Sequence, residues 1–593
     1  MRPAVSGSLA IALTLAAATA LADEPAPTKR LSGYEKVALD SALARVKGTI
    51  DPSPEGKIVE SIETVQLEVF EKRDFIPEIF LGFVNWFHVT SKPYVIAREV
   101  LQTKGRRYEQ ALVDETERNL RSTRQVSLVL AAPMIGSAPD RVRLLVITKD
   151  IWSLRFNQDF RVAGGNLEYY LAEPSEENFL GTHQSLSARF ELRLDTVSFG
   201  GHFNVPRLVG SRISADVAAG VIVNRATGVA EGSYGSFSYG QPLYSTRATW
   251  AWGSGAAWRH ETVRRFIGSK PRTFDSKTTP DDDKIPFTYG SDSLGGNFNV
   301  TRSFGTRVKN DVTVGVTASR NVYRTGDLSS FAPSASADFL GRAMPVSDTQ
   351  IGPYLQLHSR ANRYITVLDF NTLGLQENFI DGHDAYVKLT PITTALGSSR
   401  SFFAVYAAAS YSVPLGDGLA KGYVELTNEL TEAGVPDGSI DVGVRLTSPR
   451  TPVGRLHFDA RLLNRYANYL NSRSSLGGDS RPRGYPSGAF IGKDVVAATL
   501  EYRSRAAQIL SCQLAGALFF DTGDAFDGFD KMQLKQSAGV GLRILFPQLD
   551  RVVMRVDWGF PLTPGVVPAG GFPGDIVVTF RQAFPMPVLP AAN

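Results

Sequence analysis

The feature that most constrains the fold is an alternation of apolar and polar side chains with a period of two between residues 150 and 584. It runs in segments of about 10 to 14 residues that are separated by Gly, Pro, Asn, Asp and Ser, and no helical period interrupts it. A typical segment is 454–462, in which Leu456, Phe458, Ala460 and Leu462 alternate with Arg455, His457, Asp459 and Arg461.

Alternating segments of this length favour one architecture. The strands of soluble sandwiches are commonly about five or six residues long. In lipid every backbone donor and acceptor must be paired within the protein, which a closed sheet achieves. Its outward face is then apolar, and its lumen holds the charges. The pattern therefore predicts a mainly β protein with a transmembrane antiparallel β-barrel over residues 150–584, of about 20 strands by raw count.

Two polar stretches that contain Gly and Pro, residues 262–286 and 322–347, are predicted to be the longer outer loops. The first contains Asp281, Asp282 and Asp283, which we interpret as a solvated acidic loop, with a divalent-cation contact as the alternative. The stretch 354–370 fits either one strand or two.

The first 22 residues have the pattern of an export signal, with an N-terminal membrane anchor as the alternative. Arg2 precedes a short apolar core, and Ala20-Leu21-Ala22 fits a cleavage site. The formal net charge of +4 gives no basic field that would predict nucleic-acid binding. The single cysteine, Cys512, excludes an intrachain disulfide and is predicted to be a free, packing thiol.

Between the export signal and the barrel, the sequence predicts a linker and a small domain. Residues 23–54 are rich in Pro and charges and are predicted to be a leader or linker. Residues 55–149 predict the order strand, helix, helix, strand, strand, with helices expected over 91–105 and 108–121. We interpret the aromatic-rich stretch 75–89 as core and loop of this domain, with a membrane-surface contact as the alternative.

Three short motifs follow one another near the end of the chain: Arg483-Gly484-Tyr485, Glu501-Tyr502-Arg503 and Phe519-Phe520-Asp521-Thr522-Gly523. Together with the predicted strand-helix-helix-strand-strand unit and the segment Glu177-Asn178-Phe179-Leu180-Gly181, they resemble the BamA/TamA superfamily of outer-membrane protein assembly factors, also called the bacterial surface antigen family. The matches span most of residues 55–584. The resemblance implies a single POTRA-like domain at 55–149 and a barrel of 16 strands.

The resemblance also implies that the loop carrying Arg483 folds back into the lumen, where Arg483 pairs with Glu501 and Asp521. Strand parity supports this independently, because the apolar neighbours of both carboxylates face the lipid and so direct the carboxylates inward. Two inward carboxylates need a cation, and Arg supplies a bidentate one. Gly484 allows a tight turn beside Tyr485. The alternative is that Arg483 is an ordinary exposed loop charge.

The chain departs from the family pattern at three points. Pro482 stands where an aliphatic residue commonly precedes the Arg, one POTRA-like unit replaces several, and residues 585–593 extend beyond the terminal aromatic residue. By the same resemblance, the first and last barrel strands, near 152–162 and 575–584, form a weak seam that includes Trp152, Phe580 and Phe584.

The sequence contains no nucleophile elbow, phosphate-binding loop or zinc-protease motif, so we expect no enzyme, no cofactor and no metal site. The resemblance implies a protein of the bacterial outer membrane, with its N-terminal domain in the periplasm, that assists folding and insertion or translocation of other outer-membrane proteins. The implied partners are outer-membrane lipid, unfolded outer-membrane or secreted polypeptides, and periplasmic chaperones or accessory lipoproteins. The alternatives are a two-partner-type polypeptide secretion transporter and a passive outer-membrane channel or surface antigen.

Overall fold

The computed structural model describes residues 31, 33–67, 89–123, 125–163, 166–280, 282–509, 512–547, 551–564 and 574–579. The predicted signal peptide, residues 1–22, lies outside the described residues. So do Asp281, Phe580, Phe584, the extension 585–593 and all but the last residue of the aromatic-rich stretch 75–89. In the described part of the chain, no helix has the length and apolar character needed to cross a membrane.

The N-terminal domain contains three helices and a three-stranded sheet. In chain order they are α1 (Gly33–Val46), β1 (Ile58–Leu67), α2 (Pro93–Ala97), α3 (Gln110–Ser122), β2 (Val126–Ile135) and β3 (Arg141–Asp150). The central strand β3 runs parallel to β1 and antiparallel to β2. Buried side chains from both helices and strands, including Ile96, Tyr108, Leu120, Val129 and Val146, form its core. After α1, the elements follow the predicted order.

Two local features of this domain differ from the expectation. Helix α1 lies within residues 23–54, which composition predicted to be a leader or linker. The helix expected over 91–105 comprises only Pro93–Ala97. Ser91 does not cap it, because the Ser91 backbone N–H donates to Asp150 and the Ser91 hydroxyl is hydrogen-bonded to His183.

Twenty antiparallel strands, β4–β23, form a closed barrel. They are Leu154–Ala163, Asn166–Phe179, Gln184–Arg193, Thr196–Val205, Ser214–Asn224, Ala230–Gln241, Trp250–Arg264, Thr288–Phe304, Val308–Thr325, Asp348–Ala361, Gly382–Ile392, Phe402–Leu415, Gly418–Leu430, Asp437–Thr447, Gly454–Asn468, Asp494–Ser504, Cys512–Phe526, Lys535–Leu545, Met554–Pro561 and Asp575–Thr579. The barrel closes where the last strand, β23, pairs with the first, β4.

The barrel confirms the predicted fold class, and its strand number agrees with the raw count rather than with the 16 strands implied by the resemblance. The raw count uses every alternating segment of the barrel sequence. The number 16 is taken from the family, and the motifs that support the resemblance lie in only two parts of the barrel. The predicted alternation also holds in the last strands. Leu500, Leu518 and Val540 are exposed on the outer face, while Glu501 and Arg543 are buried in the lumen.

We call the end of the barrel that carries the N-terminal domain the near end, and the other end the far end. The two stretches predicted to be long loops lie at the far end, as residues 265–287 and 326–347. The second contains helix α4 (Pro333–Arg342), whose Phe339 packs against Phe274 and Phe287 of the first loop. Short ribbons within the far-end loops pair Phe266–Ile267 with Lys270–Pro271, Thr273–Phe274 with Ile285–Pro286 and Ser474–Leu476 with Phe490–Gly492.

At the near end, residues 362–381 form a two-stranded ribbon rather than a short turn. It pairs Tyr364–Leu368 with Gln376–Ile380, and we call it the near-end ribbon. The stretch 354–370 therefore contains the end of one barrel strand, β13, followed by a separate ribbon strand.

Candidate functional site

Arg483 lies in the lumen, on a loop of residues 477–489 that we call the luminal loop. The Arg483 side chain is 1% exposed. Its Nε and Nη2 donate to the two carboxylate oxygens of Asp521 at 2.8 and 3.0 Å, and its Nη1 donates to Glu501 Oε2 at 2.9 Å. The structure thus brings Arg483, Glu501 and Asp521 together, as parity and the resemblance predicted.

A third carboxylate, Asp557 on β22, also contacts this guanidinium. It accepts a hydrogen bond from Arg483 Nη1 at 2.9 Å. Arg543, on β21, bridges Asp557 Oδ1 at 2.5 Å and Glu501 Oε1 at 3.3 Å. The sequence analysis missed both residues, although their strand parity places them on the polar face, because neither belongs to a motif of the resemblance.

Two further guanidinium groups border this cluster. Arg503 Nε donates to Glu501 at 2.6 Å. Arg555 Nη1 donates to Asp557 at 2.6 Å, and Arg555 Nη2 donates to Asp479 of the luminal loop. We call the whole set the luminal lock: Arg483, Arg503, Arg543, Arg555, Asp479, Glu501, Asp521 and Asp557.

The luminal lock contains four Arg and four carboxylates, so its formal charge sums to zero. Its members come from the luminal loop and from four neighbouring strands, β19–β22. Removing one partner of a buried ion pair leaves an uncompensated charge, which costs roughly 3–5 kcal/mol. The lock therefore fixes the luminal loop to this part of the wall and ties the four strands to one another.

Close contacts around Arg483 explain why its neighbours have the identities they do. The Arg483 guanidinium carbon lies 3.5 Å from the ring centre of Phe519, a cation–π contact that the sequence analysis did not predict. Gly484 has φ +92°, and a Cβ there would lie 2.6 Å from the backbone of Gly559. The luminal loop crosses strand β22 at this point. Gly484 on the loop and Gly559 on the strand allow the two backbones to come into contact.

Tyr485 and Arg481, on either side of Arg483, attach the luminal loop to the barrel wall. Tyr485 is fully buried, its hydroxyl donates to the Gln536 carbonyl at 2.7 Å, and its ring packs on Phe490. On the other side of Pro482, Arg481 donates to Asp459 of β18. Pro482, the departure from the family pattern, is thus compatible with a packed luminal loop.

The segment Glu177-Asn178-Phe179-Leu180-Gly181 forms the first near-end turn and holds the N-terminal domain. Asn178 Nδ2 donates to the Val89 carbonyl at 2.7 Å and to Ser91 Oγ at 3.1 Å. Gly181 has φ +73°, and a Cβ there would lie 2.7 Å from the Thr90 carbonyl oxygen. The close approach explains why glycine is needed at this position.

His183 is buried in the same junction. Burial lowers the pKa of His183 from 6.5 to about 4, so the imidazole is neutral when the domain is docked. A second contact of the domain is ionic, because Glu99 accepts hydrogen bonds from Arg207 at 2.8 Å and from Arg212 at 3.0 Å. Both arginines lie in the second near-end loop.

The predicted seam is where β23 meets β4. Over the described residues their register contains three pairs, Ile576–Val162, Val577–Arg161 and Val578–Phe160. By comparison, β11 and β12 share sixteen pairs. Trp152 lies just before β4 and is half-buried, whereas the other two predicted seam residues, Phe580 and Phe584, lie outside the described residues.

Other residues that the sequence singled out take no part in this site. Cys512 begins β20 as a free, partly exposed thiol. In the described part of the chain, no group of three or more His, Cys, Asp or Glu side chains is arranged to hold a metal ion.

Comparison with solved structures found similar chains at low sequence identity. CdiB from Escherichia coli is 10% identical over 92% of this chain and 96% of that chain, with a TM-score of 0.42. CdiB from Acinetobacter baumannii is 11% identical over 89% and 74%, with a TM-score of 0.38. BamA from Haemophilus ducreyi lacking POTRA domains 1–3 is 13% identical over 88% and 84%, with a TM-score of 0.34. At these TM-scores we draw neither a family nor a function from the likeness.

The sequence matches no protein-family model and no curated protein sequence.

Proposed function

We propose that this protein is an outer-membrane barrel that assists the folding and insertion of other outer-membrane polypeptides by opening its wall between β4 and β23. The observation that carries the proposal is the position of the closure, where the last strand pairs with the first beside a block of strands that buried ion pairs cross-link. The proposed mechanism contains no catalytic step, since Glu501 and Asp521 are engaged by guanidinium groups.

The outer surface of the barrel supports a membrane location. Large apolar side chains are exposed along many strands, including Leu294, Phe298, Val314, Leu500, Leu518 and Val540. A soluble monomer rarely exposes apolar patches of such extent, whereas a lipid-facing wall requires them. Exposed Trp250 lies at the near end, and exposed Tyr466 and Tyr469 lie at the far end, as in interfacial aromatic girdles.

The luminal lock lies beside the seam. Its buried ion pairs cross-link β19–β22, and β22 is the neighbour of β23, which pairs with β4 where the barrel closes. A strand whose partner separates offers unpaired N–H and C=O groups, which are a template for another strand. The seam is therefore the place where an extended client would add to the sheet.

The N-terminal domain lies against the near end of this seam. Strand β3 ends at Asp150, and β4 begins at Leu154, so the domain continues directly into one side of the seam. On the other side, Arg551, which precedes β22, donates to the Ser127 carbonyl of β2 at 3.2 Å. The domain is thus placed to deliver a polypeptide from the periplasm to the opening strands.

A disulfide across the seam tests the proposal. We would combine Phe160→Cys with Val578→Cys, which are register partners, in a Cys512→Ser background. The matched control combines Val300→Cys with Val314→Cys, a register pair inside the long β11–β12 pairing. We expect the oxidised seam variant, but not the control, to lose assembly of other outer-membrane proteins, with recovery on reduction.

A survey of the outer-membrane proteins that disappear when the seam is closed separates the proposal from its alternatives. Loss of many barrel proteins supports assembly. Loss of one secreted partner, with barrel proteins intact, identifies a dedicated secretion transporter. Normal assembly and secretion with a fully formed seam disulfide contradicts the proposal and leaves a passive channel or surface antigen.

A further inference from the structure

The tip of the near-end ribbon enters the near end of the barrel lumen. Its tip, residues 369–375, carries three buried apolar side chains, Phe370, Leu373 and Leu375. Leu373 and Leu375 pack with Ala515 of β20 and Leu545 of β21, while Phe370 packs with Leu419 of β16. The tip therefore packs against the inner face of the wall between β16 and β21.

The tip is held in one conformation by its own hydrogen bonds. The buried Glu377 carboxylate accepts from the backbone N–H groups of Phe370, Asn371 and Thr372 at 2.9, 2.8 and 2.9 Å. Asp369 pairs with Arg450 of a neighbouring near-end loop at 3.1 Å. The tip thus has a defined conformation that its own hydrogen bonds maintain.

The ribbon is attached to the N-terminal domain through Tyr364 at its base and through Gln376 next to its tip. The Arg118 guanidinium of α3 stacks over the Tyr364 ring at 4.3 Å. Gln376 donates to Glu35 of α1 at 2.9 Å, and the Gln376 carbonyl accepts from Arg551, which also reaches β2 of the domain. Two helices of the domain, α1 and α3, therefore contact the ribbon directly, and β2 is linked to it through Arg551.

Arg503 connects the tip of the ribbon to the luminal lock. Arg503 Nη1 donates to the Phe370 carbonyl at 3.0 Å, and the same guanidinium donates through Nε to Glu501 at 2.6 Å. Glu501 in turn accepts from Arg483 of the luminal loop. Two elements that enter the lumen from opposite ends thus meet at Arg503 and Glu501.

We propose that the near-end ribbon is a movable plug that couples the N-terminal domain to the luminal loop, so that displacement of the domain releases both ends of the lumen together. Withdrawal of the tip takes the Phe370 carbonyl away from Arg503 and admits water beside Glu501. Ion pairs weaken in the higher dielectric of water, so the contacts of Glu501 with Arg503 and with Arg483 are weakened together. This inference concerns gating of the lumen and does not depend on the proposed client insertion.

The first test removes the plug and examines the opposite end of the barrel. In one variant, residues 366–378 are replaced by two glycines, which leaves β13 and β14 intact. The readouts are conductance in planar lipid bilayers and trypsin cleavage of the luminal loop after the buried Arg483. The Arg481–Pro482 bond is not a site, because trypsin does not cleave before proline. We expect higher conductance and about tenfold faster cleavage of the luminal loop, the change expected when roughly one hydrogen bond of local protection is lost.

A second variant keeps the full ribbon and the barrel unchanged. Arg118→Ala removes the stacking contact between the domain and Tyr364, at a site remote in sequence from the luminal loop. Its matched control is Arg225→Ala, in an exposed far-end turn where Arg225 bonds only to nearby carbonyls among the described contacts. We expect Arg118→Ala, but not Arg225→Ala, to raise both conductance and cleavage.

The outcomes separate coupling from simple plugging. Faster cleavage of the luminal loop in both test variants supports the inference. Higher conductance with an unchanged cleavage rate shows that the ribbon blocks the lumen without acting on the luminal loop, and so overturns the coupling. Unchanged conductance in a correctly folded ribbon-deleted barrel overturns the plug itself.

Discussion

Two parts of the barrel wall follow the same alternating pattern but use their lumen charges differently. On β10, the lumen-facing pair Arg259–Glu261 is well exposed, with the Arg259 side chain at 39%. On β19–β22, Arg483 and Glu501 are 1% and 2% exposed. The difference arises because the luminal loop and the near-end ribbon fill the lumen beside β19–β22. Strand alternation places a charged side chain on the lumen side. The side chain becomes buried and contributes to stability only where a second segment of the chain packs over it.

The largest expected effect comes from removing the central cation of the covered region. Arg483→Ala leaves Glu501, Asp521 and Asp557 with an uncompensated buried charge, so we expect a loss of about 3–5 kcal/mol in the free energy of unfolding. Arg259→Ala, in the open region, is the matched control and should cost under about 1 kcal/mol. Urea unfolding of both barrels in detergent measures the difference, and equal losses would remove the distinction between the two regions.

A covered histidine should make the domain junction sensitive to acid. The docked His183 has a pKa of about 4, against 6.5 when it is exposed, so the undocked state binds more protons between these values. The docking contribution is complete above pH 6.5 and is lost as the pH falls towards 4, by roughly 3 kcal/mol in total.

Limited proteolysis of the junction at about pH 7 and about pH 4.5 measures this loss. His183→Gln should abolish most of the difference between the two conditions. The exposed His260 serves as the control, because His260→Gln should leave the acid response as it is in the unaltered protein. A junction equally protected at both pH values would contradict the role of His183.

A smaller effect is expected at the crossing of the luminal loop over β22. Gly484→Ala places a Cβ against the Gly559 backbone in a left-handed conformation, which should cost about 1–3 kcal/mol. At Gly326, in a far-end loop, a Cβ would meet nothing within 4 Å, so Gly326→Ala should be near neutral. Urea unfolding tests stability, and trypsin cleavage of the luminal loop tests whether the crossing has opened.

The smallest expected effect is the difference between a lumen-facing and a lipid-facing substitution on strand β20. Phe519→Leu removes the cation–π contact with Arg483 and should cost about 0.5–2 kcal/mol. Phe520→Leu, on the lipid-facing side of the same strand, should be close to neutral in the same unfolding assay. An equal loss at both positions would mean that the ring stabilises the strand only through its bulk.

The sequence predicted correctly those features that depend only on the alternation of apolar and polar residues within a strand. Parity alone placed Glu501 and Asp521 in the lumen, and segment counting predicted the number of strands. Asp557 and Arg543 had the correct parity, but their pairing depends on three strands meeting one loop. The ribbon strand Tyr364–Leu368 has the same alternation as a barrel strand, and its entry into the lumen is decided by contacts with Arg503 and the N-terminal domain. Helix α1 was not predicted, because the surrounding residues 23–54 are rich in Pro and charges, a composition typical of linkers.

The junction turn at Asn178 has a consequence for the order in which the chain folds. Its partners, Val89 and Ser91, precede it by fewer than one hundred residues, whereas the closing pair Phe160–Val578 joins opposite ends of the barrel sequence. Because short loops close more readily than long ones, the domain and the hairpin β4–β5 are expected to fold together, long before the barrel can close. The N-terminal domain would then act as a nucleus that fixes the first edge of the sheet while the remaining strands are added to it.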